Sequence, residues 1–228
     1  MTIAEKILAA HAGVPVVRPG ELYFAGLDLV MGTDVTTALS AEVFAQMGAQ
    51  RVFDPDKIAL VNDHFVPAKD IAAATLSQTM RRFAERYGIR HYYEVGSSGI
   101  CHTLVPDEGL VAPGDLVVGA DSHTCTYGAL GAFATGIGST DMAAAWALGE
   151  SWFRVPETIR VIFRGRLPEW VGGKDLILRV VGDLGEDGAR YKALEFWGHT
   201  IEDLPMAGRF TVCNMAIEAG AKTGIIAA

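Results

Sequence analysis

Residues 116–124 read Leu116-Val117-Val118-Gly119-Ala120-Asp121-Ser122-His123-Thr124. Five small or apolar residues in a row fit a strand buried on both faces, the kind a parallel sheet uses. The run stops abruptly on an acid, a hydroxyl and a histidine. A second stretch has the same form: Ile58-Ala59-Leu60-Val61 ends at Asn62-Asp63-His64. Strands buried on both sides need helices to cover them, and helical patterns flank these runs. Residues 36–47 read as a helix stopped by Gly48, and residues 67–87 as a long helix opened by Pro67 and stopped by Gly88. Residues 91–95 read as a further strand. Strand, polar turn and helix in alternation predict an α/β fold with largely parallel sheets.

Working outward from that centre, Thr2-Ile3-Ala4-Glu5 is a capping box ahead of a helix that ends near Gly13. Residues 21–24 and 27–31 read as short strands. Ser139-Thr140-Asp141 reads as the cap of a helix over residues 142–148. Pro156 marks an expected border between a first domain, residues 1–156, and a second, residues 157–228. Beyond it, residues 159–163 read as a strand, and residues 174–182 and 211–219 as helices. The last residues, Gly224-Ile225-Ile226-Ala227-Ala228, carry no polar tail, which reads as an interior point of a longer chain.

Of the 228 residues half are hydrophobic and a fifth are charged, enough apolar matter for a core and too much for general disorder. Nineteen basic against 27 acidic side chains leave a net charge of −8. Such a chain lacks the electrostatic footprint for duplex nucleic acid or an anionic membrane. No apolar run reaches the roughly 18 residues of a membrane span, and the N-terminus has no secretory signal pattern, so the expected location is the cytoplasm. Cys101, Cys125 and Cys213 are odd in number and widely spaced, with no C-x-x-C, and read as reduced, buried thiols.

Ligands in open α/β sheets bind at the carboxyl ends of the strands. Two such ends carry an acid beside a histidine, Asp63-His64 and Asp121-Ser122-His123. A third histidine, His102, follows Gly96-Ser97-Ser98-Gly99-Ile100-Cys101. A carboxylate beside an imidazole fixes its tautomer and raises its pKa, which suits proton transfer near neutrality. A histidine-based mononuclear metal site uses the same residue types, although no H-x-H is present. A non-catalytic binding module is the other open reading. His11, His91 and His199 have no acid partner nearby in sequence and read as structural; Asp54, Asp56 and Asp70 read as turn or surface acids. Gly128, Gly131, Gly136 and Gly138 precede the Ser139 helix and fit either an anion cradle or close backbone packing.

Several of these stretches together resemble the aconitase superfamily: Asn62-Asp63-His64, Gly99-Ile100-Cys101-His102, Asp121-Ser122-His123-Thr124 with Tyr127-Gly128-Ala129, residues 133–141, and Cys213-Asn214-Met215-Ala216-Ile217-Glu218-Ala219-Gly220-Ala221-Lys222. They run the length of the chain in family order, and the match is closest to the large-subunit branch of the two-subunit dehydratases. The resemblance implies a three-layer α/β/α fold and a reversible dehydration and rehydration of a hydroxy di- or tricarboxylic acid, helped by a 4Fe–4S cluster. It implies that Asp63 and His64 protonate the departing hydroxyl. His102 and His123 would orient hydroxyl or water, held by Asp121 and Glu218; Ser122 would touch substrate, and Asn214 would lie near the cluster. The partner it implies is a small subunit carrying the swivelling domain. The family's cluster cysteines sit in a later S-C-T-N-type motif and a C-x-x-C pair, neither of which occurs here. The expectation is therefore that the three cysteines are not cluster ligands, that the second domain is incomplete, and that this chain alone binds no metal cluster and is inactive.

Overall fold

The computed structural model describes residues 1–228. Helix α1 (Ile3–His11) is followed by β1 (Leu22–Gly26), β2 (Leu29–Thr33), α2 (Asp34–Gln46), β3 (Ile58–Val61), α3 (Ile71–Tyr87), β4 (His91–Tyr93), α4 (Cys101–Asp107) and β5 (Leu116–Gly119). A 3-10 segment over Ser122–Leu130 leads to β6 (Phe133–Gly136), α5 (Ser139–Leu148) and β7 (Glu150–Arg154). Then come β8 (Thr158–Ile162), α6 (Gly173–Leu184), β9 (Ala193–Trp197), α7 (His199–Glu202), α8 (Met206–Asn214), a 3-10 turn over Met215–Ala219 and β10 (Thr223–Ile226).

The main sheet has five parallel strands in the order β4-β3-β2-β5-β6. Side chains alternate across it because a strand has period two. Val30, Ile58, Leu60, Leu116, Val118 and Phe133 face a core shared with α1, α2, α3 and α5. Leu29, Met31, Ala59, Val61, Val117 and Ala134 face the other side, covered by α4 and by Tyr127 of the 3-10 segment. The α/β/α layering is thus present in this chain. Trp146, fully buried, packs at 4.6 Å from Phe83 and 6.4 Å from Phe44, tying α5 to α3 and α2.

A second parallel sheet, β10-β9-β8, follows Pro156, with α6 and α8 packed on one face. The remaining strands β1 and β7 form an antiparallel ribbon. The two sheets are joined through buried polar contacts as well as apolar ones. Glu195 on β9, 4 % exposed, accepts hydrogen bonds from the amides of Ile3 (2.6 Å) and Ala4 (3.4 Å) at the start of α1. An acid there satisfies otherwise orphaned amides and complements the helix dipole.

Several elements depart from the sequence reading. Helix α3 begins at Ile71 rather than Pro67, because the Asp70 carboxylate caps it through the Ala73 amide at 2.8 Å; Asp70 is a helix cap, not a plain surface acid. Gly138 is the N-cap of α5, and Ser139 lies inside the helix. The helix expected over 211–219 is shifted: α8 ends at Asn214 and the chain tightens into a 3-10 turn. Strands β6, β7, β9 and β10 and helix α4 were not read from the sequence. His11 also gains a carboxylate partner, with Nε2 2.6 Å from Asp28.

Candidate functional site

The centre of the site lies at the carboxyl edge of the main sheet. β3 ends at Asn62-Asp63-His64, β5 runs into Asp121-Ser122-His123, and α4 starts at Cys101-His102 above the β4 end. Asp121, 12 % exposed, is the hub. Its Oδ1 accepts the His123 amide at 2.8 Å and lies 3.1 Å from His102 Nε2, while its Oδ2 lies 3.4 Å from His64 Nε2. The Oδ1 bond to the amide two residues on is an Asp-led turn that opens the 3-10 segment, so local chain geometry aims the carboxylate.

His64 sits between acids. Its Nδ1 bonds Asp63 Oδ1, and the other Asp63 oxygen accepts the Cys101 amide at 2.8 Å, linking the β3 end to α4. Asp34, fully buried at the first turn of α2, accepts the amides of His64 at 3.1 Å and Phe65 at 2.7 Å. It holds the loop that carries His64, and its Oδ1 is 3.9 Å from the ring. The sequence reading missed Asp34. The available signal was a third acid at a strand end, directly after Thr33, but no histidine beside it marked it.

The remaining candidates adjoin the same edge. His102 Nδ1 lies 3.3 Å from the hydroxyl of Tyr127, which is fully buried and bonded to the Cys101 carbonyl. The His102 and His123 rings are 6.4 Å apart. His123 Nε2 is 3.3 Å from Glu218 Oε1, and its Nδ1 is 3.3 Å from Ser122 Oγ. Asn214 donates to Thr126 Oγ1 at 2.9 Å, and Thr126 in turn donates to the His123 carbonyl at 2.7 Å. Asp63, His64, His102, Asp121, Ser122, His123, Glu218 and Asn214 thus form one connected array.

Charge follows geometry. Burial alone would raise the Asp121 carboxyl, but the His102 hydrogen bond and charge, the His123 amide and the His64 charge hold it at about 2. Burial pulls the His64 pKa down, yet the hydrogen bond and charge of Asp63, then the charges of Asp121 and Asp34, leave it raised above its ordinary value. A raised imidazole stabilises the fold fully below its ordinary pKa, and that contribution fades as pH climbs through the raised value. For Asp121 the sign is opposite. Its contribution, about 2 kcal/mol at 1.36 kcal/mol per pH unit, is present above its ordinary value of 3.8 and disappears as pH falls toward 2. The stability gap between the chain and Asp121→Asn, measured by urea unfolding, is expected to shrink between pH 6 and pH 3. A gap of constant size would show that Asp121 is not held ionised by its neighbours.

The glycines nearby serve packing. A Cβ on Gly128 would lie 1.7 Å from the Gly224 carbonyl oxygen, and one on Gly136 would lie 2.7 Å from that of Asp121. Only glycine lets the 3-10 segment touch β10 and lets β6 touch the Asp121 turn. Of the two readings of this segment, close backbone packing accounts for both positions.

The three thiols do not gather into one donor cluster: of the trios of close donor atoms only one contains a cysteine, Cys101. All are buried and free. Burial and the charge of Glu218 push Cys125 up to about 12, and its Sγ donates to the Asn214 carbonyl at 3.3 Å. Burial, with Asp63 bonded to it and charged beside it, pushes Cys101 far above the thiol range, and burial does the same to Cys213. Two trios, Cys101-His102-Asp121 and Asp34-Asp63-His64, bring donor atoms within 4.8 Å of one another. Their oxygens are already engaged: both of Asp34 and Oδ2 of Asp63 by backbone amides, and both of Asp121 by histidines. No helix is long and apolar enough to cross a membrane.

A family model described as the aconitase family (aconitate hydratase) matches residues 5–228. Among curated proteins, the chain is 61 % identical over 226 residues to the 3-isopropylmalate dehydratase large subunit of Thermodesulfovibrio yellowstonii, covering 99 % of this chain and 54 % of that protein. It is 60 % identical over 227 residues to the large subunit of the same name from Heliobacterium modesticaldum, covering 100 % and 54 %. Against large subunit 1 of Pyrococcus furiosus the identity is 58 % over 226 residues, covering 99 % and 53 %. The chain spans about half the length of the curated relatives it matches.

Proposed function

Because this chain belongs to the aconitase family, we propose that it forms one wall of the active site of a two-subunit 3-isopropylmalate dehydratase, the hydro-lyase of leucine biosynthesis that interconverts 3- and 2-isopropylmalate. The observation that carries the reading is the Asp121 carboxylate joining His64, His102 and the His123 amide beside the Asp63–His64 pair. Histidines tuned by shared carboxylates fit a reaction that moves a hydroxyl through loss and return of water.

In the dehydration direction, His64 as imidazolium gives a proton to the hydroxyl oxygen as the carbon–oxygen bond breaks, and water leaves. Asp63 fixes the ring through Nδ1 and stabilises its charge. The neutral His64 then takes a proton from the water that adds back on the neighbouring carbon. His102 and His123 position that oxygen; Glu218 and Asp121 set their orientation. Ser122 binds a substrate carboxylate edge, and Asn214 fixes the turn beneath His123. The base that removes the carbon-bound proton belongs to the small, swivelling-domain subunit, which is the proposed partner. The 4Fe–4S cluster implied by the family would take its thiolates from residues other than Cys101, Cys125 and Cys213. Residues 1–156 and 157–228 are proposed as two domains, the second incomplete, in a cytoplasmic enzyme.

The test is anaerobic assay of the relatives-length large subunit with its small subunit. Turnover of 3-isopropylmalate is expected to exceed that of the homoaconitase and dimethylmalate dehydratase substrates, and preference for either of those moves the assignment within the family. Residues 1–228 alone are expected to bind no stoichiometric cluster on anaerobic reconstitution and to be inactive. A cluster signal lost on Cys101→Ala or Cys213→Ala would show that these thiols are ligands after all.

A further inference from the structure

His102 is held at both ring nitrogens. Its side chain, 11 % exposed, sits in the first turn of α4; Nε2 lies 3.1 Å from Asp121 Oδ1 and Nδ1 lies 3.3 Å from the Tyr127 hydroxyl. The ionised Asp121 carboxylate can only accept, so Nε2 carries a proton. What happens at Nδ1 then depends on Tyr127. That side chain is fully buried against Met31, Val117 and Ala134, with its ring centroid 5.6 Å from that of His102. Burial above all pushes its hydroxyl well above the ordinary phenol range, so it keeps its single proton. Two acceptors lie within reach of that proton at nearly equal distance, His102 Nδ1 at 3.3 Å and the Cys101 carbonyl at 3.4 Å.

Aimed at Nδ1, the hydroxyl proton pairs a neutral His102 ring. Aimed at the Cys101 carbonyl, it leaves the phenol oxygen free to accept from the Nδ1–H of an imidazolium. Either way the ring keeps both partners and need not turn, whereas an unpaired buried ring nitrogen would be costly. The tyrosine is itself fixed: its 3-10 segment is pinned at the start by the Asp121 turn and further on by Gly128 packed against the Gly224 carbonyl. Resting on the dehydratase reading for what His102 does, we propose that Tyr127 is a positioning residue of that reaction: its hydroxyl holds the His102 ring in one orientation, whether the ring carries one proton or two, so that Nε2 keeps its proton beside Asp121. Nδ1 is shut behind a fully buried side chain, so Nε2 is the nitrogen that an incoming oxygen can meet. A fixed His102 in turn keeps Asp121 shared between His102 and His64.

The test has two arms. In the chain carrying isotope-labelled histidines, proton–nitrogen correlation spectra at about pH 8–9, above the ordinary imidazole range, are expected to show His102 protonated on Nε2, with Nδ1 a hydrogen-bonded acceptor. Tyr127→Phe is expected to move the Nδ1 resonance to that of an unbonded nitrogen while His11 and His199 stay in place. Tyr93→Phe, which removes a hydroxyl bonded to Glu108, is expected to leave His102 unmoved. A neutral His102 protonated on Nδ1, or the same Nδ1 resonance with and without the Tyr127 hydroxyl, overturns the proposal. In the assembled two-subunit enzyme, Tyr127→Phe is expected to lower kcat about tenfold, the scale of one hydrogen bond, with KM little changed. A lowered melting temperature beside an unchanged kcat would make Tyr127 purely structural and overturns the proposal as well. The spectra need no substrate, so failure of the unsubstituted enzyme to turn over 3-isopropylmalate counts against the dehydratase reading, while the Nδ1 resonance still decides the role of the hydroxyl.

Discussion

His64→Ala in the assembled two-subunit enzyme is expected to lower kcat by about 10²–10⁴-fold, the usual worth of a general acid, with KM changed far less. The proton it supplies is needed only as the hydroxyl leaves, so its help appears in the transition state and scarcely in the bound ground state. The loss corresponds to roughly 3–5 kcal/mol of barrier at 1.36 kcal/mol per decade. The geometry supports this separation of roles. The ring is 40 % exposed, open to a substrate, while its backbone amide and that of Phe65 are anchored on buried Asp34. Removing the ring therefore leaves the loop in place. The readouts are kcat and KM per active site, with a melting temperature. An unchanged kcat beside a lowered melting temperature would assign His64 to the scaffold.

Trp146→Ala is expected to have the largest effect on stability, about 3–5 kcal/mol. The indole is fully buried against Phe83 and Phe44, and truncation leaves a cavity where α2, α3 and α5 meet. Trp146→Phe is expected to recover most of the loss. It keeps most of the volume and removes an indole N–H that has no partner in the core. Urea unfolding of the three proteins gives the comparison. If alanine and phenylalanine cost the same, the site responds to the indole's polarity or shape and not to the volume it fills.

The main sheet was legible because β3 and β5 carry the plainest possible signal, short apolar runs ending in polar residues. Both acid–histidine pairs were visible for the same reason, since they follow those runs directly. What stayed hidden depends on contacts across the chain. β6 reads as a glycine-rich segment, because Gly136 is set by approach to the Asp121 turn and not by strand propensity. β9 and β10 each offer only four or five residues, and their pairing with one another brings together positions about thirty residues apart. Asp34 is tied to the His64 loop at a separation of 30 residues, and nothing in its own neighbourhood announces that. The start of α3 was misread because Pro67 is a generic opening signal, whereas the Asp70 side chain makes the actual cap.

The acid that accepts the Ile3 and Ala4 amides at the start of α1 has a consequence for how the chain is made. Ile3 and Glu195 are 192 positions apart. At about 5–20 residues per second of synthesis, roughly 10–40 s pass between the appearance of the helix, capped by Thr2, and that of Glu195. A nine-residue helix is marginal by itself in water. The apolar face of that helix, Ile7 and Leu8, packs in a core formed mostly by residues before 156, whereas its first amides gain their acid only when Glu195 arrives. Closing so long a loop also slows folding, since its entropy is lost before the contact is gained.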